Sequence, residues 1–461
     1  MAANYDVIVL GAGSGGLSVA FRAARNGARV ALVDPVLALG GTCVNRGCVP
    51  KKALWFSAQL AHQQRLAVEF GFDSKPGALD WARFRDLRDR YIAGINERYA
   101  KRLQEKHIDV LYQAGHFVAS DTIELNDGAQ LKAPHIVIAT GARPRTLDLP
   151  GFELGMVSDD MFSLQAMPQR IAIVGGGYIA VEFAGLLRAL GADVDVLAVE
   201  RLLKTFDEEM VTALREKMEA QGIRIDDQSA VRAARRTAQG IVLDDAKAGL
   251  RGPYDAVLWA VGRIPNSETL RLDAIGVEVD KAGHVVVDGQ QNTSIAGIYA
   301  VGDITQDKAL TPVAVATGRR LADRLFGDQT DGQIDSDMIP SVVFSDPPLG
   351  SVGLSEEQAR KRHGDAVTVY LSRFTPMQFM LVERKEPSLM KLVCVGGDER
   401  VVGIHLLGPC TDEILQGFAV ALKLGLRKRD LEAAVAIHPT VAEEILSMSL
   451  KLSGPIIPLG R

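Results

Sequence analysis

The stretch Asp6-Val7-Ile8-Val9-Leu10-Gly11-Ala12-Gly13-Ser14-Gly15-Gly16 decides the fold class of this 461-residue chain. The apolar run Val7–Leu10 meets a glycine cluster, a helical stretch follows over residues 17–26, and residues 29–34 carry Val30, Leu32 and Val33 as a second strand. Strand, glycine turn, helix and strand in this order form a dinucleotide fingerprint in the context it requires. Gly11, Gly13, Gly15 and Gly16 permit a tight turn and a backbone that approaches a pyrophosphate. The helix N-terminus, beside Ser14, offers N–H groups and positive dipole. Asp34 lies 23 residues after Gly11, where an acid binds a ribose hydroxyl pair.

The pattern then recurs. Arg170–Val174 is apolar, Gly175-Gly176-Gly177-Tyr178-Ile179-Ala180 fits GxGxxA, a helix runs to about Leu190, and residues 194–197 form the next strand. Two complete fingerprints point to two nucleotides, such as a flavin and a nicotinamide, rather than to a duplication with one dead site. His135-Ile136-Val137-Ile138-Ala139-Thr140-Gly141, residues 256–262, and Gly297-Ile298-Tyr299-Ala300-Val301-Gly302-Asp303 are apolar strands ending in glycine, suited to backbone lying close to a cofactor. From about Asp337 the texture changes to antiparallel-like strands around Val342-Val343-Phe344 and residues 367–370, 391–395 and 401–405. Two helices follow, over about 412–424 and 439–450. The expected class is α/β, with two Rossmann-like dinucleotide-binding domains and a C-terminal α+β domain.

Composition bounds the function. At roughly 150 residues per domain the length allows about three domains, and 47% hydrophobic against 24% charged residues is a globular balance. The 52 Lys and Arg against 57 Asp and Glu leave a net charge of −5, which gives nucleic acid no general electrostatic reason to bind. The short basic runs Arg235-Arg236 and Arg427-Lys428-Arg429 read as solvated faces. No apolar run reaches the roughly 18 residues needed to span a bilayer, and no basic region precedes the first glycine cluster. A cytoplasmic protein with no membrane partner is expected. Of four cysteines, Cys43 and Cys48 stand close, with a spacing that fits neither a zinc site nor a thioredoxin-type pair, so no metal is expected. In a reducing compartment such a pair suits transient, catalytic disulfide chemistry.

The cysteines lie in Gly40-Gly41-Thr42-Cys43-Val44-Asn45-Arg46-Gly47-Cys48-Val49-Pro50-Lys51-Lys52. Here the chain resembles the glutathione reductase branch of the flavin-dependent disulfide reductases. The likeness extends over nearly the whole length through Ala139-Thr140-Gly141, Ala300-Val301-Gly302-Asp303, Leu310-Thr311-Pro312, Phe374-Thr375-Pro376-Met377 and His438-Pro439-Thr440. It implies FAD on the first fold, with Gly41, Thr42, Thr140, Gly141, Asp303 and Thr311 added to its site. It implies NADPH or NADH on the second, against Gly175, Gly177, Tyr178, Ile179, Gly262 and Arg263. Electrons would pass from the coenzyme through FAD to a Cys43–Cys48 disulfide and on to oxidised glutathione, giving two thiols.

In the same resemblance Cys43 is the interchange thiol and Cys48 the charge-transfer thiol. Lys51 stands beside the flavin ring with Glu182 as its acid partner, and a cation there favours a Cys48 thiolate. Tyr178 resembles a movable ring over the nicotinamide pocket, although the residue alone would read as a helix N-terminal aromatic. His438 resembles the acid–base histidine, oriented by Glu443 and suited by its titration range to a proton shuttle. In the family that segment reaches the disulfide of the other subunit, which implies a homodimer with a shared active site.

Several positions depart from the family. Arg319 and Tyr99 match substrate contacts, but Phe21 stands where some members carry arginine. Arg46 stands where valine is usual, and Arg98 and Arg102 add charge near Tyr99. Glutathione disulfide is the expected substrate, with an amide or a trypanothione-like conjugate as the alternative. Dihydrolipoamide dehydrogenase is the runner-up, but its usual Ser-Lys after the proline is Lys51-Lys52 here. A redox-sensing flavoprotein without turnover would not need the acid–base histidine. In the second fold, adding 23 to Gly175 gives Ala198, so no acid stands at the ribose position; Arg201 and Lys204 suit a 2′-phosphate, whereas Glu200 repels one, and both coenzymes stay open. The expected organisation is an FAD domain over 1–141, a nicotinamide domain over 142–265, a central segment over 266–336 that completes the FAD site, and a dimer-interface domain over 337–461.

Overall fold

Val7–Leu10 and Val30–Val33 are buried at every residue, as continuous apolar strands of a parallel sheet covered on both faces should be. The structure, a computed structural model, describes residues 3–328, 334–449 and 451–452. The first sheet is parallel, in the order Ile298–Ala300, His135–Ile138, Val7–Leu10, Val30–Val33 and Asp109–Leu111. Its first strand comes from the central segment, which returns to the FAD-type fold after the second fold has been completed. The helices Ser14–Arg25 and Thr311–Phe326 pack together so closely that a Cβ on Gly318 would stand 2.8 Å from the Gly15 carbonyl oxygen.

The second fold repeats this plan with parallel strands in the order Met156–Val157, Ala256–Trp259, Arg170–Val174, Asp193–Leu197 and Arg224–Asp226. The antiparallel strands Val231–Thr237, Gly240–Asp245 and Gly249–Tyr254 form a further sheet before its last strand. Chain enters and leaves this fold through one antiparallel pair, Ala142–Pro144 against Arg263–Pro265.

The C-terminal domain is a six-stranded antiparallel sheet, in the order Ser341–Val343, Leu349–Gly353, Arg400–Leu407, Ser388–Val395, Val367–Phe374 and Lys451–Leu452. The helix Thr411–Lys423 lies against it. Two expectations need correction. The second expected helix, over 439–450, is limited to Glu443–Leu446. Pro439 has no N–H, and the Thr440 N–H donates to the Glu443 carboxylate at 3.0 Å instead of entering a helical ladder. Lys428 is not a solvated charge: it is 1% exposed, with Nζ 2.6 Å from Glu432 and 4.9 Å from the centre of the Tyr370 ring. The helix Lys428–Glu432 turns the middle of that basic run inward and leaves Arg429 outside. No helix among the described residues is long and apolar enough to cross a membrane.

A buried charge cluster fastens the second fold to the C-terminal domain. Lys391 Nζ lies 3.0 Å from Asp207, 3.1 Å from Glu209 and 2.7 Å from Glu356. Asp207 also caps the helix Glu208–Ala220 and accepts from the Glu356 N–H at 3.0 Å. A buried cation shared by three carboxylates cannot be removed without leaving those charges uncompensated. Lys391→Met should therefore cost about 3–5 kcal/mol, seen as a lower guanidinium midpoint and a lower Tm; a melt that overlays the native one would show the cluster to be inert.

Candidate active site

One cavity of about 2040 Å³ runs between the two dinucleotide folds, from Asp34 past Gly13 and Thr140 to Cys43, Cys48 and Tyr178. Its first half is shaped by glycine. Gly11 has φ +107°, and a Cβ there would stand 2.3 Å from the Ala139 carbonyl oxygen. A Cβ on Gly41 would stand 2.7 Å from Gly13 Cα, so neither glycine has room for a side chain. The helix Ser14–Arg25 starts at Gly13 with no side-chain cap and no acid in its first turn, leaving its N–H groups and dipole open to an anion. Asp34 is held by the Ala12 N–H at 2.6 Å and the Val36 N–H at 2.8 Å. Asn266 fixes Thr140-Gly141 through three hydrogen bonds of 2.9 Å. Asp303 lines the middle of the cavity, and burial raises its pKa against the pull of Arg263. Glycine cradle, open helix N-terminus and held acid together fit FAD.

The thiols stand at the junction of the folds. Cys43 lies on the short helix Gly41–Arg46, and Cys48 is the first residue of the helix Cys48–Glu69. Both are reduced. A hydrogen bond from the Cys43 thiol is the chief cause that brings Cys48 down to about 6, opposed by burial and aided by Thr311 and Lys51. Cys48 Sγ lies 3.5 Å from Thr311 Oγ1, and its place at a helix N-terminus acts in the same sense. The same hydrogen bond, with burial, drives Cys43 strongly upward, against the hydroxyls of Thr311 and Ser14. Within the pair the surroundings favour the negative charge on Cys48 and the proton on Cys43.

Lys51 lies one turn beyond Cys48, and its Nζ donates to Glu182 at 2.8 Å. Glu182 is 3% exposed on the helix Tyr178–Ala189. The same carboxylate oxygen accepts the Phe344 N–H at 2.8 Å, while Lys51 Nζ sits 4.1 Å from the centre of the Phe344 ring. Sequence reading did not find Phe344, because nothing local marks a strand-end aromatic as the third member of an ion pair. Across the cavity Tyr178 and Ile179 open the second helix, whose N-terminus also lacks a cap and an acidic first turn. Gly175 has φ +133°, and a Cβ there would stand 2.2 Å from the Ala260 carbonyl oxygen. Gly262 precedes Arg263, whose guanidinium reaches the Ala142 carbonyl and lies 3.9 Å from Asp159. This end fits a dinucleotide coenzyme facing the thiols.

Residues 5–318 match the family described as pyridine nucleotide-disulphide oxidoreductase, and residues 339–449 match that family's dimerisation domain. The chain belongs to this family. It is 39% identical over 467 residues to a glutathione reductase of Yarrowia lipolytica, covering 96% of this chain and 99% of that one. It is 39% identical over 458 residues to a glutathione reductase of Schizosaccharomyces pombe, covering 96% and 98%. Membership makes it an NAD(P)H-dependent flavoprotein disulfide reductase, and the dimerisation domain supports a homodimer.

A single chain leaves several of the expected site residues apart from the thiols. His438 Nδ1 lies 2.9 Å from Glu443 Oε2, yet the imidazole is 78% exposed and does not line the cavity of the thiols. The hydrogen bond from His438, with the Thr440 N–H, lowers the Glu443 pKa. Val435 and Ile437, just before His438, are 96% and 79% exposed, an apolar edge open in one chain. Arg319 lies exposed on the helix Thr311–Phe326 and does not line the cavity, whereas its neighbour Arg320 does. Tyr99 stacks on Phe21 with ring centres 6.3 Å apart, and the Arg102 guanidinium lies 4.4 Å from the centre of the Phe21 ring. Tyr99 also faces Gly40, so this stack adjoins the thiol-bearing helix. Arg46 lies 3.7 Å from Asp159 and lines the cavity. Glu200, Arg201 and Lys204 stand outside it.

Thr311 and Lys51 both favour the Cys48 anion, so removing either should raise the pH at which the reduced protein develops thiolate absorbance. Thr311→Val and Lys51→Met are expected to move that titration upward from near 6, with the two substitutions together moving it further. An unmoved titration in both variants would leave the Cys43 hydrogen bond and the helix N-terminus as the causes.

Proposed function

We propose that this chain reduces glutathione disulfide to two molecules of glutathione at the expense of a nicotinamide coenzyme, as a cytoplasmic homodimer whose active sites are each built from both copies. The observation that carries the reading is the Cys43–Cys48 pair beside the Lys51–Glu182 ion pair, at the meeting point of two dinucleotide cradles. Likeness to two glutathione reductases over nearly the whole length supports the choice of substrate. Thiol exchange in a reducing compartment supports the location.

FAD, when bound between the folds, supplies the passage of a hydride equivalent from the coenzyme to the Cys43–Cys48 disulfide. Glycine turns and helix N-termini hold the two pyrophosphates, Asp34 and Asp303 take hydroxyls, and Tyr178 with Ile179 borders the nicotinamide end. Lys51, fixed by Glu182, favours negative charge beside Cys48. Cys43 holds the proton of the reduced pair, so it needs a base before it can attack. His438 from the other copy, with Nδ1 on Glu443, takes that proton at Nε2. The Cys43 thiolate then attacks one sulfur of the substrate, forming a Cys43–glutathione mixed disulfide and expelling glutathione thiolate. His438 returns the proton to that thiolate. Cys48 attacks Cys43 Sγ, releases the second glutathione as a thiolate that takes its proton from solvent, and closes the Cys43–Cys48 disulfide, which completes the two-electron balance. Tyr99 and Arg319 serve as substrate contacts.

Purified yellow holoenzyme should oxidise coenzyme rapidly only when glutathione disulfide is added; brisk turnover of lipoamide with none of glutathione disulfide would overturn the substrate. Cys43→Ser should abolish glutathione formation while coenzyme still bleaches the flavin. His438→Ala should lower kcat about 10²–10⁴-fold with the same bleaching retained, and near-normal turnover would remove His438 from the mechanism.

A further inference from the structure

The two dinucleotide folds share one backbone register, which allows their ribose positions to be compared atom by atom. The Gly11 N–H donates to Val33 at 2.8 Å, and the Gly175 N–H donates to Leu197 at 2.8 Å. The next residue repeats the match, since Asp34 N–H reaches Leu111 at 3.0 Å and Ala198 N–H reaches Asp226 at 2.7 Å. Ala198 therefore occupies the place of Asp34. It is 2% exposed, and its methyl would stand 3.1 Å from a Cβ on Gly176. It brings neither a carboxylate for a ribose diol nor a cation for a 2′-phosphate. Val199 follows, 74% exposed and apolar.

The charges beyond it cancel. Lys204 Nζ is 2.8 Å from Glu200 Oε1. Arg201 donates from Nη2 to the Lys204 carbonyl at 3.0 Å and lies 4.0 Å from Glu208 through Nη1. The two cations and two carboxylates sum to zero, and each cation is already engaged. The Glu200 carbonyl oxygen would stand 3.5 Å from a Cβ on Gly176, so this segment is seated against the phosphate turn. A phosphate monoester carries close to two negative charges at neutral pH. To bind here it would have to part Lys204 from Glu200 and then face the freed carboxylate. A 2′-hydroxyl needs only an acceptor, which Glu200 provides.

Resting on the nicotinamide-linked reading above, we infer that this chain takes NADH at least as well as NADPH, with Glu200 as the residue that withholds Lys204 from a 2′-phosphate. The test is calorimetric binding of 2′,5′-ADP and of 5′-ADP to the oxidised holoenzyme, beside kcat/KM for NADPH and NADH. The two nucleotides should bind within a few-fold of each other and NADH should match or exceed NADPH; a preference of about tenfold or more for the 2′-phosphate in both measurements would overturn the inference. Glu200→Ala should strengthen 2′,5′-ADP binding about fivefold, the value of one exposed ion pair, and leave 5′-ADP no tighter. Unchanged 2′,5′-ADP binding in that variant would remove Glu200 from the role. Nucleotide binding needs no disulfide substrate, so a failure to reduce glutathione disulfide would fall on the proposed function and not on this assignment.

Discussion

Glu182 is buried, and a buried carboxylate is sustainable only when its charge is met. Two donors from different parts of the chain meet it on the same oxygen, Lys51 from the thiol-bearing helix and the Phe344 N–H from the C-terminal domain. Glu182 itself belongs to the second dinucleotide fold. Three domains thus converge on one atom, and the arrangement of the cavity follows from it. The contact ties Lys51, the helix of Tyr178 and Phe344, just past the strand Ser341–Val343, to one another, and all three border the cavity that holds the thiols.

The thiol pair uses this rigidity to divide its labour. Placing a helix start, a hydroxyl and a fixed cation on the side of Cys48 makes that sulfur the anion, and leaves its neighbour protonated by default. Such a division suits a sulfur that exchanges charge with a flavin beside one that must be activated only when an outside disulfide arrives. The imidazole that would do so lies on a segment that one chain leaves exposed, along with an apolar edge at Val435 and Ile437. In the proposed homodimer, chemistry and assembly would therefore not be separable.

How much of this was legible in the sequence depended on the range of the forces involved. The two fingerprints were readable because glycine conformation is local: Gly11 and Gly175 must be glycine whatever else the chain does. Cys43 lies five residues before Cys48, which shares a helix start with Lys51, and Glu443 lies five residues beyond His438, so their relations were visible as spacing. The partner of Glu182 on the C-terminal domain was not, since Phe344 acts through a backbone N–H that any residue possesses. Helix phase also went unread: Lys428, in a basic run that suggested a solvated face, turned inward. The expected helix over 439–450 shortens to Glu443–Leu446 because Pro439 lacks an N–H and the Thr440 N–H is taken up by the Glu443 carboxylate, contacts that no pattern along the chain announces.

The two-stranded neck at Ala142–Pro144 and Arg263–Pro265, laced at its base by Asn266, makes the second fold an insertion with its entry and exit side by side. An insertion of that kind can be altered at its far rim without disturbing the frame that carries it. The rim here is the stretch from Ala198 to Lys204, while the thiols, Lys51 and the flavin cradle belong to the frame. Substitution within that stretch touches neither the thiols nor Lys51, so the source of electrons and the use made of them rest on separate side chains.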